Sequence, residues 1–536
     1  MPMNITKVPL LNTGYFSGLT KAYIANDANL KAFYNHYFDI ENFEKAIEER
    51  KKFEVNRVHL FEVLHEQHSP FYKDLPTLAG TVASIKENNT FTITTGHQIC
   101  LATGPLYFIY KIASAINLCG KLKATYPQYN FVPVYWMATE DHDFEEINHL
   151  HLFSKKIVWD IASEGATGRI STKEINPFLN ELKAVLGDKV NDINYFQDVL
   201  NAYQNNTNLA DATRALVLHL FGDRGLLVID ADHNTLKQDF KEIIKKDILH
   251  QISFKEVTHT IKNLVETNII KEEKIQVKPR AINFFYLKDK LRKRISLEEH
   301  TYKVLDTDIT FTEAQLLQEI DEFPERFSPN VIMRPVYQEY ILPNLVYIGG
   351  AGELSYWFEL KGVFDAHEFF FPMLALRNSF LWIDQKQADK LKQFDIQINE
   401  IFKPIEQLSE QVLKVIGFKE PSLSKDKELA NQLFESMKEN IISIDQTLVN
   451  SVEGERQKLI KSIEVLEQKL IKAQKLKHET SLNQIKKIKE QLFPEGGLQE
   501  RFDNILWLNL KFGKEVINQI IELAHVESME FTIVSE

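Results

Sequence analysis

The sequence predicts an α/β core followed by an α-helical coiled-coil arm, and three patterns along the chain lead to this prediction. Apolar strand-like runs alternate with a glycine turn and a helical segment over residues 90–143, which is typical of an open, mostly parallel sheet. Residues 226–229 repeat this pattern, because a short apolar run is followed by Asp230 and Asp232. After about Gln385 the chain is charge-rich and helical in periodicity, with almost no strand-like pattern until its last residues.

The amino-terminal part of the core is predicted in the order helix pair, strand, helix, strand. Residues 30–67 have charged and aromatic residues at helical spacing, and residues 90–94 form the first clear strand. We expect Thr103 to cap the next helix, which continues to about Thr125. The apolar run 131–137 is the second strand and leads directly into an acidic cluster.

The second part of the core contains an insertion. Over residues 274–297 the pattern changes to short β-prone runs, which predicts an inserted subdomain at about 240–325. The basic residues between these runs include Arg280, Lys288, Arg292 and Arg294. The sheet then resumes with residues 344–348, a glycine turn, a helix at about 353–363 and a last core strand within 369–376.

The arm is predicted from apolar residues that follow one another in steps of four and three, as in a coiled-coil seam. These residues are Leu459, Ile463, Leu466, Leu470 and Ala473, and then Ile485, Ile488 and Leu492. Lys477 and Thr480 interrupt the seam, so we expect an antiparallel helical hairpin or a short dimer contact, and a homodimer formed through this arm. The predicted domains are the core at 1–385, a helical coiled-coil domain at 386–515 and a tail at 516–536 that returns to the core.

Composition excludes several classes of protein. The 536 residues carry a formal net charge of -12, which argues against nucleic acid as the main partner. No signal-like segment follows Met1, and no apolar run is long enough to span a bilayer, so we expect a cytoplasmic protein without membrane contact. The two cysteines, Cys100 and Cys119, have neither a disulfide framework nor a zinc signature.

The first candidate site is the turn after the first strand. Thr95, Gly96, Gln98, Thr103 and Gly104 are predicted to bind substrate, because small residues let a ligand approach the backbone and a helix amino terminus favours an anion. Tyr107 and Lys111 are one helical turn apart and can face the same crevice. His97 is a candidate catalytic donor to an oxygen atom, or a hydrogen-bonded framework residue.

The second candidate site is the acidic cluster after the second strand. Asp141, His142 and Asp143 are candidate catalytic residues and Glu140 a candidate substrate ligand. Three carboxylates beside one imidazole repel one another unless cations or donors balance them, so a base for a substrate amine or a magnesium ligand set would explain them. A charged surface loop is the alternative. We interpret the nearby His149 and His151 as residues of an alternating surface strand.

The third candidate site comprises two segments late in the core. Asn330, Arg334 and Gln338 are candidate substrate ligands, since an arginine can bind a carboxylate with two hydrogen bonds. An internal salt bridge of Arg334 is the alternative. The second glycine turn provides candidate cofactor-binding residues, which are Gly349, Gly350, Gly352, Glu353, Tyr356 and Trp357. Taken alone this turn is a weak nucleotide signal, and core packing explains Trp357 better than stacking on a ligand does.

These blocks, together with Pro494-Glu495-Gly496-Gly497-Leu498-Gln499-Glu500-Arg501, resemble the bacillithiol synthase family over nearly the whole chain. The resemblance implies a Rossmann-like core with connecting inserts and a coiled-coil arm. It also implies a ligase that adds L-cysteine to the amine of glucosaminyl malate in the last step of bacillithiol biosynthesis, with ATP or ADP and Mg²⁺ as candidate cofactors. Ala351 departs from the proline that the family usually has there, and glutamine in relatives at the position of His97 would remove an obligatory acid–base role.

Two other functions remain open at this point. The same fold suits a class I-like adenylate-forming enzyme that acts on another amino acid or amine. A non-catalytic coiled-coil scaffold would explain the arm and would leave the motifs of the core without a purpose.

Overall fold

The computed structural model describes residues 3–16, 18–188 and 194–536. Its strands are β1 (Asn4–Pro9), β2 (Thr90–His97), β3 (Asn130–Met137), β4 (His149–Leu152), β5 (Lys155–Val158), β6 (Leu227–Asp230), β7 (Phe284–Lys288), β8 (Leu291–Glu298), β9 (Thr301–Val304), β10 (Thr310–Phe311), β11 (Phe327–Pro329), β12 (Asn344–Gly349), β13 (Met373–Leu376), β14 (Ser379–Ile383) and β15 (Glu530–Ser535). They form the sheets β13-β12-β2-β3-β6, β10-β9-β8-β7-β11, β1-β15-β14 and β4-β5.

The α-helices account for most of the remaining regular structure. They are α1 (Gly18–Ile24), α2 (Phe43–Arg50), α3 (Arg57–His68), α4 (Pro76–Ser84), α5 (Tyr107–Thr125), α6 (Phe144–Ile147), α7 (Asn176–Leu186), α8 (Asn194–Asn205), α9 (Leu209–Phe221), α10 (Asn234–His250), α11 (Ile252–Glu266), α12 (Glu313–Glu322), α13 (Met333–Ile341), α14 (Ala351–Glu359), α15 (Lys361–Ala366), α16 (Gln385–Gln393), α17 (Ile405–Val415), α18 (Ser424–Ile442), α19 (Val449–Leu476), α20 (Glu479–Leu492), α21 (Ile505–Phe512) and α22 (Val516–Leu523). In the described part of the chain, no helix combines the length and the apolar character needed to cross a membrane.

The central sheet confirms the predicted α/β core. All of its neighbouring strands pair in parallel, and β2, β3 and β6 follow one another in one direction across the sheet. The chain then returns to the other side of β2 to add β12 and β13. This reversal places a crevice between the carboxyl ends of β2 and β12, where open α/β sheets bind their ligands.

The start of the core differs from the prediction in two respects. Strand β2 continues to His97, so Thr95 and Gly96 lie within the strand and not in the turn after it. Helix α5 begins only at Tyr107, and Thr103 does not cap it, because the Thr103 hydroxyl donates to the Ala102 carbonyl at 2.7 Å. Ala102, Thr103 and Gly104 all have positive φ angles, so the chain makes a tight turn before the helix.

The predicted insertion is present as a small antiparallel sheet. Strands β7, β8 and β9 form consecutive antiparallel pairs, and β11 pairs with β7 on the opposite edge. The helix predicted at about 353–363 is two helices, α14 and α15, which meet at Leu360.

The chain divides into two compact units. One consists of residues 7–381 and 497–532 and contains the central sheet and the insertion. The other consists of residues 1–6, 382–496 and 533–536 and is mainly helical, with the coiled-coil segment in it. The predicted boundaries were 385 and 515, whereas residues 497–532 belong to the unit of the central sheet, where Asn504 donates to the Ala102 carbonyl at 2.8 Å and Glu500 accepts from Arg377 at 2.6 Å.

The coiled-coil segment contains an antiparallel helical hairpin of α18 and α19, whereas the seam predicted over 459–492 runs along α19 and α20. Glu467 on α19 accepts hydrogen bonds from Lys427 Nζ and Leu423 N at 2.7 Å each, and Arg456 donates to Asn431 at 2.7 Å. Pairing of early α18 residues with late α19 residues makes the helices antiparallel. Helix α19 ends at Leu476, next to the predicted interruption.

Candidate functional site

A cavity of about 690 Å³ lies at the carboxyl edge of the central sheet, within the unit that contains this sheet. Its wall includes Gly96 at the end of β2, Glu140 and Asp141 after β3, and Gly350 after β12. The segments that the sequence predicted separately therefore share one cavity. This volume is in the range of small-molecule sites.

A buried ion pair forms the floor between the two glycine turns. Lys111 Nζ lies 2.5 Å from Glu353 Oε2 and donates to the Gly96 carbonyl at 2.8 Å. Burial lowers the pKa of Lys111 and would raise that of Glu353, but the charge of Lys111 and the Gly350 amide hold the pKa of Glu353 below its ordinary value. Both groups are therefore charged, and Lys111 is neutralised from within the protein.

This pair also changes the expected role of the second glycine turn. The N–H of Gly350 donates to Glu353 Oε2 at 2.8 Å, so the amide predicted for a phosphate already binds a carboxylate. A phosphate at this helix amino terminus would have to displace Glu353. Gly352 and Tyr356 remain on the cavity wall.

Arg334 is the cation on this floor that has no counter-ion. Its guanidinium donates to the neutral Gln338 side chain at 3.0 Å and lies 3.5 Å from the Tyr356 hydroxyl. Neither Glu339 nor Glu353 forms an ion pair with it in the described part of the chain, so the alternative of an internal salt bridge is not supported. A partly buried guanidinium with only neutral partners favours an anionic ligand.

Arg377 and Arg501 join the same wall, and neither was among the predicted site residues. Arg377 Nη2 lies 2.6 Å from Glu500, which is fully buried and also accepts the Phe380 amide at 3.2 Å. The block that contains Glu500 and Arg501 was noted in the sequence as a family motif. The basic and acidic residues of this block are the feature of the sequence that could have indicated a contribution to the site.

Asp141 is held by donors that come from several parts of the chain. Its carboxylate accepts hydrogen bonds from Gln98 Nε2 at 2.8 Å and from the His142 amide at 2.7 Å. Burial would raise the pKa of Asp141, but the hydrogen bonds from the Gln98 side chain and the His142 amide, together with the charge of Arg292, hold it below its ordinary value. Asp141 is therefore an ionised carboxylate on the cavity wall.

The other acidic residues of the cluster have different surroundings. Glu140 pairs with the fully buried Lys237 at 2.6 Å, and Lys237 also donates to the Phe327 carbonyl at 3.1 Å. Asp143 is exposed and caps the short helix α6 by accepting the Glu146 amide at 3.4 Å. The structure thus corrects the prediction for Asp143, which acts as a helix cap and not as a group facing the cavity.

Asp230 and Asp232, at the end of β6, lie beside the acidic cluster that follows β3. Met137 of β3 is the register partner of Asp230, so the two predicted acidic strand ends are neighbours. Asp232 lines the cavity and pairs with Arg169 through two hydrogen bonds of 2.9 and 3.0 Å. Burial, followed by the charge of Asp232, raises the pKa of Asp230.

The insertion contributes a basic wall opposite the cluster. Lys278, Arg280 and Arg294 line the cavity, and none of them forms an ion pair with a carboxylate among the described residues. Arg292 lies between this wall and the cluster, with its guanidinium 2.8 Å from His142 Nδ1. The composition of the insertion predicted these cations, but their place in the site follows only from the fold.

His97 is enclosed between aromatic rings. Its ring centroid lies 5.0 Å from that of Tyr107 and 5.4 Å from that of Phe108. Burial, together with the charges of Lys111 and Arg377, lowers the pKa of His97 well below 6.5, so its imidazole is neutral at neutral pH. Both it and Tyr107 lie on the cavity wall.

Several predicted site residues support the cavity from behind. The Thr95 hydroxyl donates to the Ile348 carbonyl at 2.8 Å, and the buried Gln338 bonds Arg334 and Glu339. Asn330 lines the cavity, but its carbonyl oxygen accepts the Ile332 amide at 2.9 Å and its amide donates to Asn283 at 3.0 Å. These residues position their neighbours.

The remaining predicted residues lie in the core. Trp357 is fully buried and packs on Tyr347 at a centroid distance of 4.5 Å, so it is core packing and not a base-stacking surface. A Cβ atom on Gly349 would lie 2.8 Å from Leu354, and one on Gly104 2.5 Å from Cys100. The Thr103 hydroxyl bonds the Tyr195 hydroxyl at 3.0 Å. These glycines serve close packing.

The histidines of β4 follow the predicted surface-strand pattern. His149 and His151 alternate with the buried Leu150 and Leu152. His151 stacks on Phe502 with ring centroids 4.0 Å apart. Within residues 3–16, 18–188 and 194–536, no group of three or more His, Cys, Asp or Glu side chains is placed to hold a metal ion.

Comparison with known proteins identifies the family of this chain. The model of the BshC amino-terminal Rossmann-like domain of bacillithiol biosynthesis matches residues 3–378, and that of the BshC carboxyl-terminal coiled-coil domain matches residues 380–536. Two Flavobacterium proteins named "Putative cysteine ligase BshC" are similar along their whole length. The protein of Flavobacterium psychrophilum is 42% identical over 97% of this chain and 98% of its own. That of Flavobacterium johnsoniae is 42% identical over 98% of each chain.

A third relative of the same name, from Christiangramia forsetii, is 39% identical over 97% of each chain. The two domain models together cover both compact units of the structure. The chain therefore belongs to the BshC family of bacillithiol biosynthesis.

Proposed function

We propose that the protein is a ligase that joins L-cysteine to the amine of glucosaminyl malate, completing bacillithiol. The observation that carries this proposal is one cavity with an unpaired guanidinium, Arg334, and an ionised carboxylate, Asp141. Cysteine and glucosaminyl malate each carry both a carboxylate and an amine. A cavity with both complementary charges suits such substrates.

The substrate carboxylates are proposed to bind near Arg334. This side chain donates to neutral groups only, whereas Lys111 and Arg377 are already paired with Glu353 and Glu500. Arg501 provides further positive charge on the same wall. An incoming carboxylate would supply the missing counter-charge of Arg334.

A substrate ammonium group is proposed to bind Asp141. Its low pKa means that the carboxylate remains ionised when the amine binds. The same property makes it a weak base, so its contribution is electrostatic orientation of the amine.

ATP with Mg²⁺ is the proposed activating cofactor, because a free carboxylate does not form an amide without a leaving group. Bound ATP would supply the group that activates the carboxylate. The unpaired Lys278, Arg280 and Arg294 fit a phosphate chain, whereas Gly350 already donates its amide to Glu353. We therefore assign phosphate binding to the insertion and not to the second glycine turn.

The decisive experiment uses a strain in which the gene is deleted. We expect bacillithiol to disappear and glucosaminyl malate to accumulate, and the wild-type gene to restore the thiol. An Arg334→Met gene should fail to restore it although the protein accumulates to a normal level. Normal thiol content in the deletion strain would contradict the proposal.

A cytoplasmic location and a homodimer complete the proposal. The family's process is bacillithiol biosynthesis, and both substrates proposed above are small molecules. The hairpin exposes Leu433, Leu466 and Leu470, which are 52%, 54% and 46% accessible. Such residues are favourably buried by a second copy of the arm.

A further inference from the structure

The contact between Arg292 and His142 determines what His142 can do in the cavity. Arg292 Nη1 lies 2.8 Å from His142 Nδ1. A guanidinium has only N–H donors and keeps its proton in proteins. His142 Nδ1 must therefore be the acceptor, which requires it to carry no proton.

Arg292 is held firmly in the position that makes this contact. It lies on β8, is buried, and donates from Nε to the Ser328 hydroxyl at 3.2 Å. Its guanidinium stacks on the Phe285 ring at 4.0 Å from the centroid. Contacts on both sides fix the direction in which Nη1 donates.

Asp141 competes for the same nitrogen but requires the opposite protonation state. Its Oδ1 lies 3.5 Å from His142 Nδ1 and would need a proton there, whereas Arg292 at 2.8 Å needs a lone pair. The shorter contact is in the hydrogen-bonding range and the longer one is not. A doubly protonated ring would also place two cations in contact.

We infer that His142 is a neutral imidazole with its proton on Nε2, held in this tautomer by Arg292, and that it donates to an oxygen anion of the ligand. This inference rests on the proposed function for the identity of the ligand. His142 is half exposed on the cavity wall, so a ligand can reach it. Arg292 is a positioning residue, because it acts through His142.

The surrounding charges agree with an oxygen anion. Lys278, Arg280 and Arg294 also line the cavity, and they form no ion pair with a carboxylate in the part of the chain that the structure describes. A carboxylate or phosphate oxygen would meet one N–H donor and several cations there. His142 is thus a donor to the substrate or its activated form, and not the base predicted for a substrate amine.

The tautomer can be measured directly on the full-length protein. Two-bond and three-bond ¹H–¹⁵N correlations distinguish bare from protonated ring nitrogens, and the His142 signals are identified by their loss in His142→Gln. We expect a bare Nδ1 in the wild type. Arg292→Met should produce a proton on Nδ1, now shared with Asp141, while Arg294→Met removes the same charge from the neighbouring wall and should leave Nδ1 bare, as in the wild type. A protonated Nδ1 in the wild type would overturn the inference.

Two ligand probes separate the possible sources of the oxygen anion. ADP presents phosphate and L-malate presents carboxylates, and each is titrated while the His142 Nε2 signal is followed. We expect at least one of the two probes to shift this signal. A signal that moves with neither probe would refute contact with an oxygen anion.

Amide substitutions test the donor role in cells. Glutamine can place an N–H₂ near the position of Nε2, whereas asparagine is one carbon shorter. His142→Gln should retain thiol production within about tenfold of wild type, and His142→Asn should lose about 100-fold, the usual cost of one missing oxyanion donor. Equal loss in both variants would contradict the donor role. If a strain that lacks the gene still makes bacillithiol, the proposed function is wrong. The measurement of the His142 tautomer then still tests the inference.

Discussion

Asp141 and Asp143 are close in sequence, but the structure gives them different roles. Asp141 is an ionised carboxylate on the cavity wall, and Asp143 is an exposed helix cap. We predict that Asp141→Asn lowers bacillithiol production about 100-fold, because it removes the charge that orients the amine. Thiol content of complemented deletion strains measures this loss.

Asp143→Asn is the matched change, since asparagine caps helices as well as aspartate does. It should leave both thiol content and melting temperature near wild type. A large loss from this variant would return Asp143 to the catalytic set.

Two side chains lie close to the backbone of Gly96 and leave little room for a larger residue there. An added Cβ would lie 3.2 Å from the Tyr347 hydroxyl and 3.6 Å from Arg334 Nη1. We predict that ADP or ATP raises the melting temperature of the wild type by mass action, and that Gly96→Val abolishes the rise. Differential scanning fluorimetry at millimolar nucleotide measures this effect.

Gly120 provides the control, because it is exposed on α5 and no atom lies within 4 Å of an added Cβ. Gly120→Val should keep the nucleotide response. If nucleotides do not stabilise the wild type, the cavity does not bind them, and the activating cofactor is of another kind.

The segment that leads into the insertion is anchored by a carboxylate at the end of α14. Glu359 is fully buried and accepts the amides of Gln276 and Val277 at 3.0 Å each. Burial raises the pKa of Glu359 to about 7, against the lowering effect of these two amides. The segment carries Lys278 and Arg280 to the cavity wall.

This raised pKa predicts a pH dependence of stability. The folded protein binds the proton more tightly than the unfolded chain between the ordinary value of 4.5 and about 7, so the contribution of Glu359 to stability falls as pH rises through this window. The contribution of Glu359 to the free energy of unfolding changes by up to about 3 kcal/mol across this pH window. Denaturant unfolding of Glu359→Gln should show a smaller decrease over these pH values.

The exposed Glu368 supplies the comparison, since Glu368→Gln changes the same chemical group at a position exposed to solvent. Glu368→Gln should show the same decrease of stability with rising pH as the wild type. Identical slopes for wild type and Glu359→Gln would show that Glu359 is ionised throughout.

The exposed leucine residues of the arm lead to a prediction about the oligomeric state. Leu466 and Leu470 are 54% and 46% accessible on α19, a helix none of whose residues is buried by the described part of the chain. We predict that the wild type is a homodimer and that Leu466→Glu with Leu470→Glu yields a folded monomer in light scattering. A wild-type monomer at micromolar concentration would refute the dimer.

Lys469→Glu changes the net charge by the same amount as the double leucine variant and removes no apolar surface. It should remain dimeric. A double variant that also remains dimeric would place the contact elsewhere.

The order of elements could be predicted from the chain because local patterns control it. Apolar runs that end at Met137 and Asp230 are strands whatever surrounds them, and strands in parallel bring their carboxyl ends to one edge. Gly96 at the end of β2, Asp141 after β3 and Gly350 after β12 therefore meet in one cavity. The arm was predictable for the same reason, since a seam of apolar residues at helical spacing is a local property.

The assignment of roles within the cavity was not accessible in this way, because it depends on which charges are paired. Glu140 is neutralised by Lys237, 97 positions away, and Arg377 by Glu500, 123 positions away. Among the described residues Arg334 has only neutral hydrogen-bond partners, and Arg292 reaches His142 across 150 positions. A buried charge is stable only beside its partner, and such partners are brought together by the packed fold and leave no trace in local sequence.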